Sequence, residues 1–439
     1  MITKKIAFFI FCSITFSITA SAQDAPVLTL KDAIEIALKN NYNIKLSQNN
    51  SSIASNNVTL GNAGVLPQVS GDFTTNDSRQ RTKQTRNDGT INNINAHNSN
   101  NNYGANLNWT IFDGFNMFAN YAQLKTLDTL GAIRLKDTIQ TTVANVITTY
   151  YDLVSQNEQI KALKGAIDIS RTQMHYASDK FQVGRASRLD VLNAQVNLNT
   201  DTANLVTQYQ LFKAIKIQLN QLLIRDPQTD FSVIDTMVID NKLVLADIIN
   251  SAQLQNPAIL SAQINKRLAE INLKQVRSTR YPQIGLTSGY TFSNSKTPAG
   301  FTLSQNVHGF NYGLTATINI FDGFNQNRRE RNAKIQIDNA NISAKQTKLN
   351  VEAQISNFYV SYLSGLDLIK LGEANMVIAK KNLDISLEKY KLGNITPLEI
   401  REAQRNYLDA QSKFFTAQYQ SKLAEVTLKQ ITNSIDIKQ

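Results

Sequence analysis

Few residues in this 439-residue chain have types and spacing that invite a chemical reading. His97, His175 and His308 form no cluster with Cys, Asp or Glu that would surround an ion, so no metal site is expected. The single cysteine, Cys12, lies in Phe9-Ile10-Phe11-Cys12, without the small residues that normally precede a lipid-modified cysteine. No phosphate loop, nucleophile elbow or catalytic pair of carboxylates is evident, and the chain reads as a non-enzyme without cofactors. Asp113-Gly114 and Asp322-Gly323 are the sharpest remaining pairs. Each falls where a strand pattern gives way to a helical one, where an Asp can cap the helix and a Gly can take positive φ. Their expected work is architectural.

The elements that hold these residues begin after a leader. Lys4 and Lys5 precede an apolar run from Ile6 to Ile18 that ends in Ala20-Ser21-Ala22, which predicts a secretory signal peptide over residues 1–22. That run is too short to span a bilayer, and no other stretch approaches about 20 uninterrupted apolar residues. Removing the leader also removes the cysteine. The net charge of +11 is scattered among acids along helix-like segments, the pattern of a solvated surface, so nucleic acid is not an expected partner. Only 18 Gly and 7 Pro favour long helices.

An internal repeat organises the rest. Phe112-Asp113-Gly114-Phe115 returns as Phe321-Asp322-Gly323-Phe324, Phe181-Gln182-Val183-Gly184 as Tyr390-Lys391-Leu392-Gly393, and Leu189-Asp190 as Leu398-Glu399, all at one displacement. Leu66-Pro67-Gln68 returns as Tyr281-Pro282-Gln283 at a slightly larger one, so the first half carries extra residues between Pro67 and Phe112. The repeats are placed at residues 23–225 and 226–439, with helix-breaking residues around Asp226-Pro227 between them.

Within each repeat a period of two appears. Tyr103, Ala105, Leu107, Trp109 and Ile111 alternate with polar or small residues, as do Phe310, Tyr312, Leu314, Ala316, Ile318 and Ile320. Strands are predicted at about 67–78, 102–112, 283–293 and 309–321, with polar loops over 79–101 and 294–308. At about ten residues, such strands suit a tilted bilayer crossing, but four strands leave edges that cannot face lipid. A membrane location therefore demands an oligomer. Long helices are predicted over 115–181 and 324–390, each on the order of 100 Å at about 1.5 Å per residue, with return helices over 187–222 and 396–433. A narrow apolar seam (Val351, Ile355, Phe358, Tyr362, Leu366) suits helix-on-helix packing.

Duplicated halves with paired Phe-Asp-Gly-Phe junctions, and two turns of the form aromatic-x-x-Gly followed by Asp190 or Glu399, resemble the outer-membrane efflux protein family, over nearly the whole mature chain. The resemblance implies a mainly α fold with a β-barrel. In a homotrimer, four strands per chain would close one twelve-stranded transmembrane barrel, continuous with a long antiparallel helical barrel reaching into the periplasm. It implies an outer-membrane exit duct of a tripartite efflux or type I secretion system, with a periplasmic adaptor and an inner-membrane pump of RND, ABC or MFS type as partners. The turns at Gly184, Arg185, Gly393 and Asn394 would dock the adaptor. Glu399 and Glu402 would match an acidic ring at the aperture, and Asp190 with Tyr390 a hydrogen-bonded pair that holds the tip shut. The departure is Ile395, where well-known members carry an arginine. The rival reading, a non-conducting trimeric coiled-coil scaffold or adhesin stalk, leaves four amphipathic strands unexplained.

Overall fold

A computed structural model describes residues 26–234, 236–298 and 302–435. The predicted signal peptide lies outside them. In chain order the elements are β1 (Val27–Leu28), α1 (Leu30–Asn40), α2 (Tyr42–Asn56), β2 (Gln68–Thr85), β3 (Ile91–Asp113), α3 (Asn116–Gln182) and α4 (Arg188–Leu222). The second repeat follows with β4 (Ser232–Val233), α5 (Leu245–Gln255), α6 (Pro257–Ser278), β5 (Gln283–Lys296), β6 (Ser304–Thr317), α7 (Asn325–Leu392) and α8 (Pro397–Ile431). No helix among the described residues is long and apolar enough to cross a membrane.

The chain divides into two compact units. Among the described residues, one comprises those up to Tyr42, Ile139–Ile249 and those from Gln354 on. Its core joins both repeats: Ile34 and Ala37 of α1, Val143, Tyr150 and Leu153 of α3, Leu219 of α4, Phe231 and Val426 of α8. Each fully buried Leu, Ile or Phe contributes roughly 1.5–3 kcal/mol by leaving water. β1 pairs in parallel with β4, and the Tyr150 hydroxyl donates to Leu28 O at 3.0 Å while accepting from Ile234 N at 3.1 Å. The inter-repeat connection is thus pinned to the core. Buried Glu425 extends that hold by accepting from Asp240 N at 3.0 Å and from Lys422 and Lys429.

The second unit, Asn43–Thr138 with Asn250–Ala353, carries a four-stranded sheet of order β2-β3-β5-β6, antiparallel throughout. Its register sorts the side chains by face. Val69 pairs with Leu107, Leu107 with Ser288 and Ser288 with Tyr312, while Phe73, Tyr103, Phe292 and His308 make another row on the same face. Tyr103 stacks on Phe292 with centroids 4.9 Å apart. The opposite face carries Ser70, Asn106, Gly289 and Asn311, and then Asp72, Gly104, Thr291 and Gly309. Strand alternation makes one side of the sheet apolar and the other polar.

The strand limits correct the expectations at three places. Residues 79–101, expected as a loop, are mostly strand: β2 pairs with β3 out to Thr85 and Ile91, leaving a turn in which Arg86 N donates to Thr90 O at 3.0 Å. The ladder needs only backbone groups, so a run of Asn, Thr and Arg without an apolar face can extend it. Likewise His97 and His308 lie on strands rather than in loops. Conversely, Ile318 to Phe321 show alternation but are not strand, because β5 begins at Gln283, opposite Thr317, and offers no further partner.

Candidate functional site

The two glycine turns are built alike. Gly184 (φ +75°) ends α3 with its N–H donating to Phe181 O at 3.0 Å, and Arg185 N donates to Lys180 O at 2.7 Å. Gly393 (φ +79°) ends α7 in the same way, donating to Tyr390 O at 3.1 Å, and Asn394 N donates to Lys389 O at 2.9 Å. Both are Schellman ends, which require a residue that tolerates left-handed backbone. A Cβ would meet nothing within 4 Å at either glycine, so conformation alone demands it. The return helices then start on reciprocal caps. Ser187 N and Oγ donate to Asp190 Oδ2 at 2.9 and 2.8 Å, and Thr396 N and Oγ1 donate to Glu399 Oε2 at 2.6 and 2.9 Å. The spacing Ser-x-x-Asp and Thr-x-x-Glu is the local pattern from which both boxes could be found.

The sequence-predicted site residues therefore have structural duties first. Asp190 is engaged by its own cap, and among the described residues no hydrogen bond joins it to Tyr390. Tyr390 is buried with Leu383, Ile400, Ala403, Tyr176 and Ile395. Ile395, where an arginine was the family expectation, is thus a packing residue. Burial raises the Tyr390 phenol pKa, and the nearby negative charge of Asp190 raises it further. Lys180 Nζ lies 4.7 Å from the centre of that ring and donates to Tyr390 O at 3.1 Å, tying α3 to α7. The Thr396 backbone N–H, then its hydroxyl, holds the Glu399 carboxyl below the usual range. Glu402 stands exposed one helical turn later, and Arg185 and Asn394 are also exposed. Val183, Leu189, Leu392 and Leu398 leave apolar surface open around both turns.

A buried ionic cluster farther along these helices had no local sequence signal. Asp201 of α4 is 1% exposed and receives both arms of Arg401 of α8, Nη1 to Oδ2 at 2.7 Å and Nη2 to Oδ1 at 2.9 Å. Ser170 Oγ of α3 donates to the same Oδ2 at 2.5 Å. Gln404 of α8, 0% exposed, donates to Ala166 O at 2.9 Å, Ser170 Oγ at 2.9 Å and Asp201 Oδ2 at 3.2 Å. Three helices from two repeats meet at one carboxylate. Asp201 lies seven residues after the buried Ala194, on the same side of α4, and its partner lies 200 residues away in sequence.

At the strand-to-helix junctions, Gly114 (φ +70°) and Gly323 (φ +66°) take left-handed backbone as expected, and so do Phe115 (φ 70°) and Phe324 (φ 63°), which were not foreseen. Asp322 Oδ2 caps its helix by accepting from Gln326 N at 2.8 Å. Asp113 does not match it; its Oδ1 is buried with no hydrogen-bond partner among the described residues. No group of three metal-ligating side chains is present among the described residues.

Each repeat thus contributes two strands of a two-faced sheet, one helix of 67 or 68 residues, and one glycine turn into a return helix. The chain belongs to the outer membrane efflux protein family, whose model matches residues 33–223 and 248–434, one span per repeat. It is 25% identical over 409 residues to the outer membrane efflux protein BepC of Brucella suis, covering 92% of this chain and 85% of that one. It is 21% identical over 306 residues to the outer membrane protein TolC of Escherichia coli, covering 68% of this chain and 62% of that one. The crystal structure of the Campylobacter jejuni CmeC outer membrane channel shares the fold, with a TM-score of 0.78 at 19% identity over 93% of this chain and 87% of that one.

Proposed function

We propose that three copies of this chain form the exit duct of a tripartite export system. In that assembly the sheets close a twelve-stranded barrel in the outer membrane, and the long helices form a tunnel in the periplasm. One observation carries this reading: an open four-stranded sheet with one apolar face, whose edge strands β2 and β6 cannot be left unpaired in lipid. Two further observations support it. Ile320 and Phe321, just past β6, are 94% and 74% exposed, as expected of residues awaiting another copy. Family membership supports the location and the transport role.

Passage through the duct is passive, and a partner pump supplies the energy, in keeping with family membership. A periplasmic adaptor docks on the two glycine turns, where Arg185 and Asn394 offer polar groups beside exposed Leu392 and Leu398. Glu399 and Glu402 from three chains ring the aperture and favour cations. The closed tip is held by several modest contacts, with the Lys180 bond to Tyr390 O among them and the Asp201–Arg401 pair behind them. A non-conducting stalk would have no use for an amphipathic sheet.

Purified protein in detergent should cross-link as a trimer and give discrete conductance steps in planar bilayers. A monodisperse trimer that inserts but never conducts would overturn the duct in favour of the stalk.

A further inference from the structure

The β2–β3 hairpin runs well past the end of β5 and β6. Its two faces in that stretch differ in charge. On the face continuous with the aromatic row of Phe73, Tyr103 and Phe292, the strands present Asp77, Arg79, Arg81 and Lys83, with His97 opposite Arg79 and Lys296 at the end of β5. All four Lys and Arg side chains are exposed. The other face carries Asn76, Ser78, Gln80, Thr82 and Gln84 opposite Asn100, Asn98, Ala96, Ile94 and Asn92, with no charge at all. A hairpin merely solvated outside the cell has no reason to sort its charges this way. Asp77 is the one acid on the basic face, and His97 Nε2 lies 3.9 Å from its carboxylate.

The spacing along the strands matches a membrane boundary. Trp109, whose Nε1 donates to Val65 O at 2.9 Å, and Tyr103 lie six residues apart, about 20 Å at roughly 3.3 Å per residue. That approaches the apolar band of about 25 Å that membrane barrels present to lipid. Beyond its aromatic rim, Lys296 follows Phe292 by about 13 Å of strand, and Arg79, Arg81 and Lys83 follow Phe73 by about 20 to 33 Å. Strand tilt shortens these heights, so the cations climb through and just above the headgroup layer on the side that faces outward.

We propose that this face is a binding surface for the phosphorylated headgroups of the outer leaflet, with Arg79, Arg81, Lys83 and Lys296 as the phosphate-contacting residues. The inference rests on the barrel reading above. Guanidinium groups spaced two residues apart on a strand suit neighbouring phosphates, which they can hold with two hydrogen bonds each. The surface would orient the barrel and fix its depth, since the cations stop where the phosphates are.

The test uses the full-length trimer in nonionic detergent, titrated with fluorescent diphosphorylated lipid A, with its monophosphorylated form and with inorganic phosphate as competitor. Wild type should bind the diphosphorylated lipid at least tenfold more tightly than the triple variant R79Q/R81Q/K83Q, and R79K/R81K should keep most of that affinity. The monophosphorylated lipid should show a smaller difference, and millimolar inorganic phosphate should displace little. Equal binding of lipid by wild type and the triple variant would overturn the proposal. So would displacement by inorganic phosphate as effective as by lipid, which would assign the face to a free anion. Failure of wild type to form a detergent-stable trimer would instead sink the barrel reading, so the two failures are distinct.

Discussion

The two strand-to-helix junctions carry the same four residues and live in different surroundings. In the first, β3 continues through a bulge between Thr110 and Phe112 until Asp113 pairs with Gln283. Gly114 is pressed against the end of α6, where an added Cβ would collide with Ser278 O and lie 2.9 Å from Tyr281 Cβ, and Phe115 meets the Tyr281 ring edge-on at 6.0 Å. In the second, strand pairing stops at Thr317, and a Cβ on Gly323 would meet nothing closer than Asn325 Nδ2 at 3.8 Å. Phe324 is 68% exposed. Duplication explains the difference. The first repeat finds its neighbour inside the chain, whereas in the proposed trimer the second would meet the corresponding segment after α2 of another copy.

Breaking this comparison should give the largest effect. Gly114→Ala combines a backbone collision with left-handed strain, and is expected to prevent folding of the sheet and insertion in the membrane. Gly323→Ala within one chain meets only the strain, roughly 1–2 kcal/mol. If another copy covers that junction, however, the substitution should lower the detergent-stable trimer while helix content by circular dichroism stays near wild type. Matching behaviour of the two variants in both assays would mean that the junctions are equivalent and that no neighbour covers the second.

The next effect concerns a contact that the chain makes once. By the repeat displacement, Arg401 corresponds to Leu192, which is 52% exposed, and Asp201 corresponds to Ala410. The ionic cluster therefore joins the first repeat to the second within a chain, and the equivalent contact between chains cannot contain it. Asp201→Ala leaves Arg401 in a largely buried place without its carboxylate, a change that typically costs about 3–5 kcal/mol. Replacing both groups by apolar ones, Asp201→Leu with Arg401→Met, should recover most of the loss in denaturant melts. A double variant no more stable than Asp201→Ala would show that the cluster does more than satisfy its own charges.

These contrasts also explain which features were legible in the sequence. The repeat, the two-faced strands and the glycine turns are local patterns, and the backbone needs of Gly184, Gly393, Gly114 and Gly323 are met by the residue itself. The extension of β2 and β3 was not legible, because a polar strand such as Arg79 to Thr85 lacks the alternation that betrays a buried face. Ile318 and Ile320 had that alternation without a partner strand in the chain. Arg401 carries no local pattern that marks it for burial, since only the fold brings it to Asp201. Asp113 and Asp322, identical in motif, part company because what surrounds them is not local.

A smaller effect separates the two caps at the turns. Glu399 has its pKa lowered by its hydrogen bonds from Thr396. Its folded value lies below the unfolded one, so the cap's contribution is complete above about pH 4.3 and is lost as pH falls through the lower folded value. If Glu399 belongs to a ring at the aperture, its share of the block by multivalent cations should persist at pH values where an ordinary glutamate is half protonated. E399Q/E402Q should abolish block at every pH. Unchanged block in the double variant would remove the charge from these residues.

The smallest effect tests whether the two turns speak to each other. Asp190 is held by Ser187, and its charge reaches Tyr390 without a hydrogen bond between them in the chain. Tyr390→Phe keeps the ring packed against Leu383 and Ile400, so stability should change by about 0.5 kcal/mol or less. Asp190→Asn keeps the shape of the cap but gives up its charge, costing on the order of 0.5–1 kcal/mol at the helix start. Single-channel conductance is the sharper readout, because a tip held by several weak contacts responds to the loss of any one. Each variant should raise conductance modestly. If assembly brings the phenol and carboxylate into a shared bond, the double variant should exceed the larger single effect by little, since both changes remove one interaction. Additive increases would mean that Asp190 acts through its cap and Tyr390 through its packing, as two separate supports of the closed tip. Conductance equal to wild type in both singles would leave the Asp201–Arg401 cluster as the contact that decides closure, and then Arg401→Gln alone should open the tip further than either.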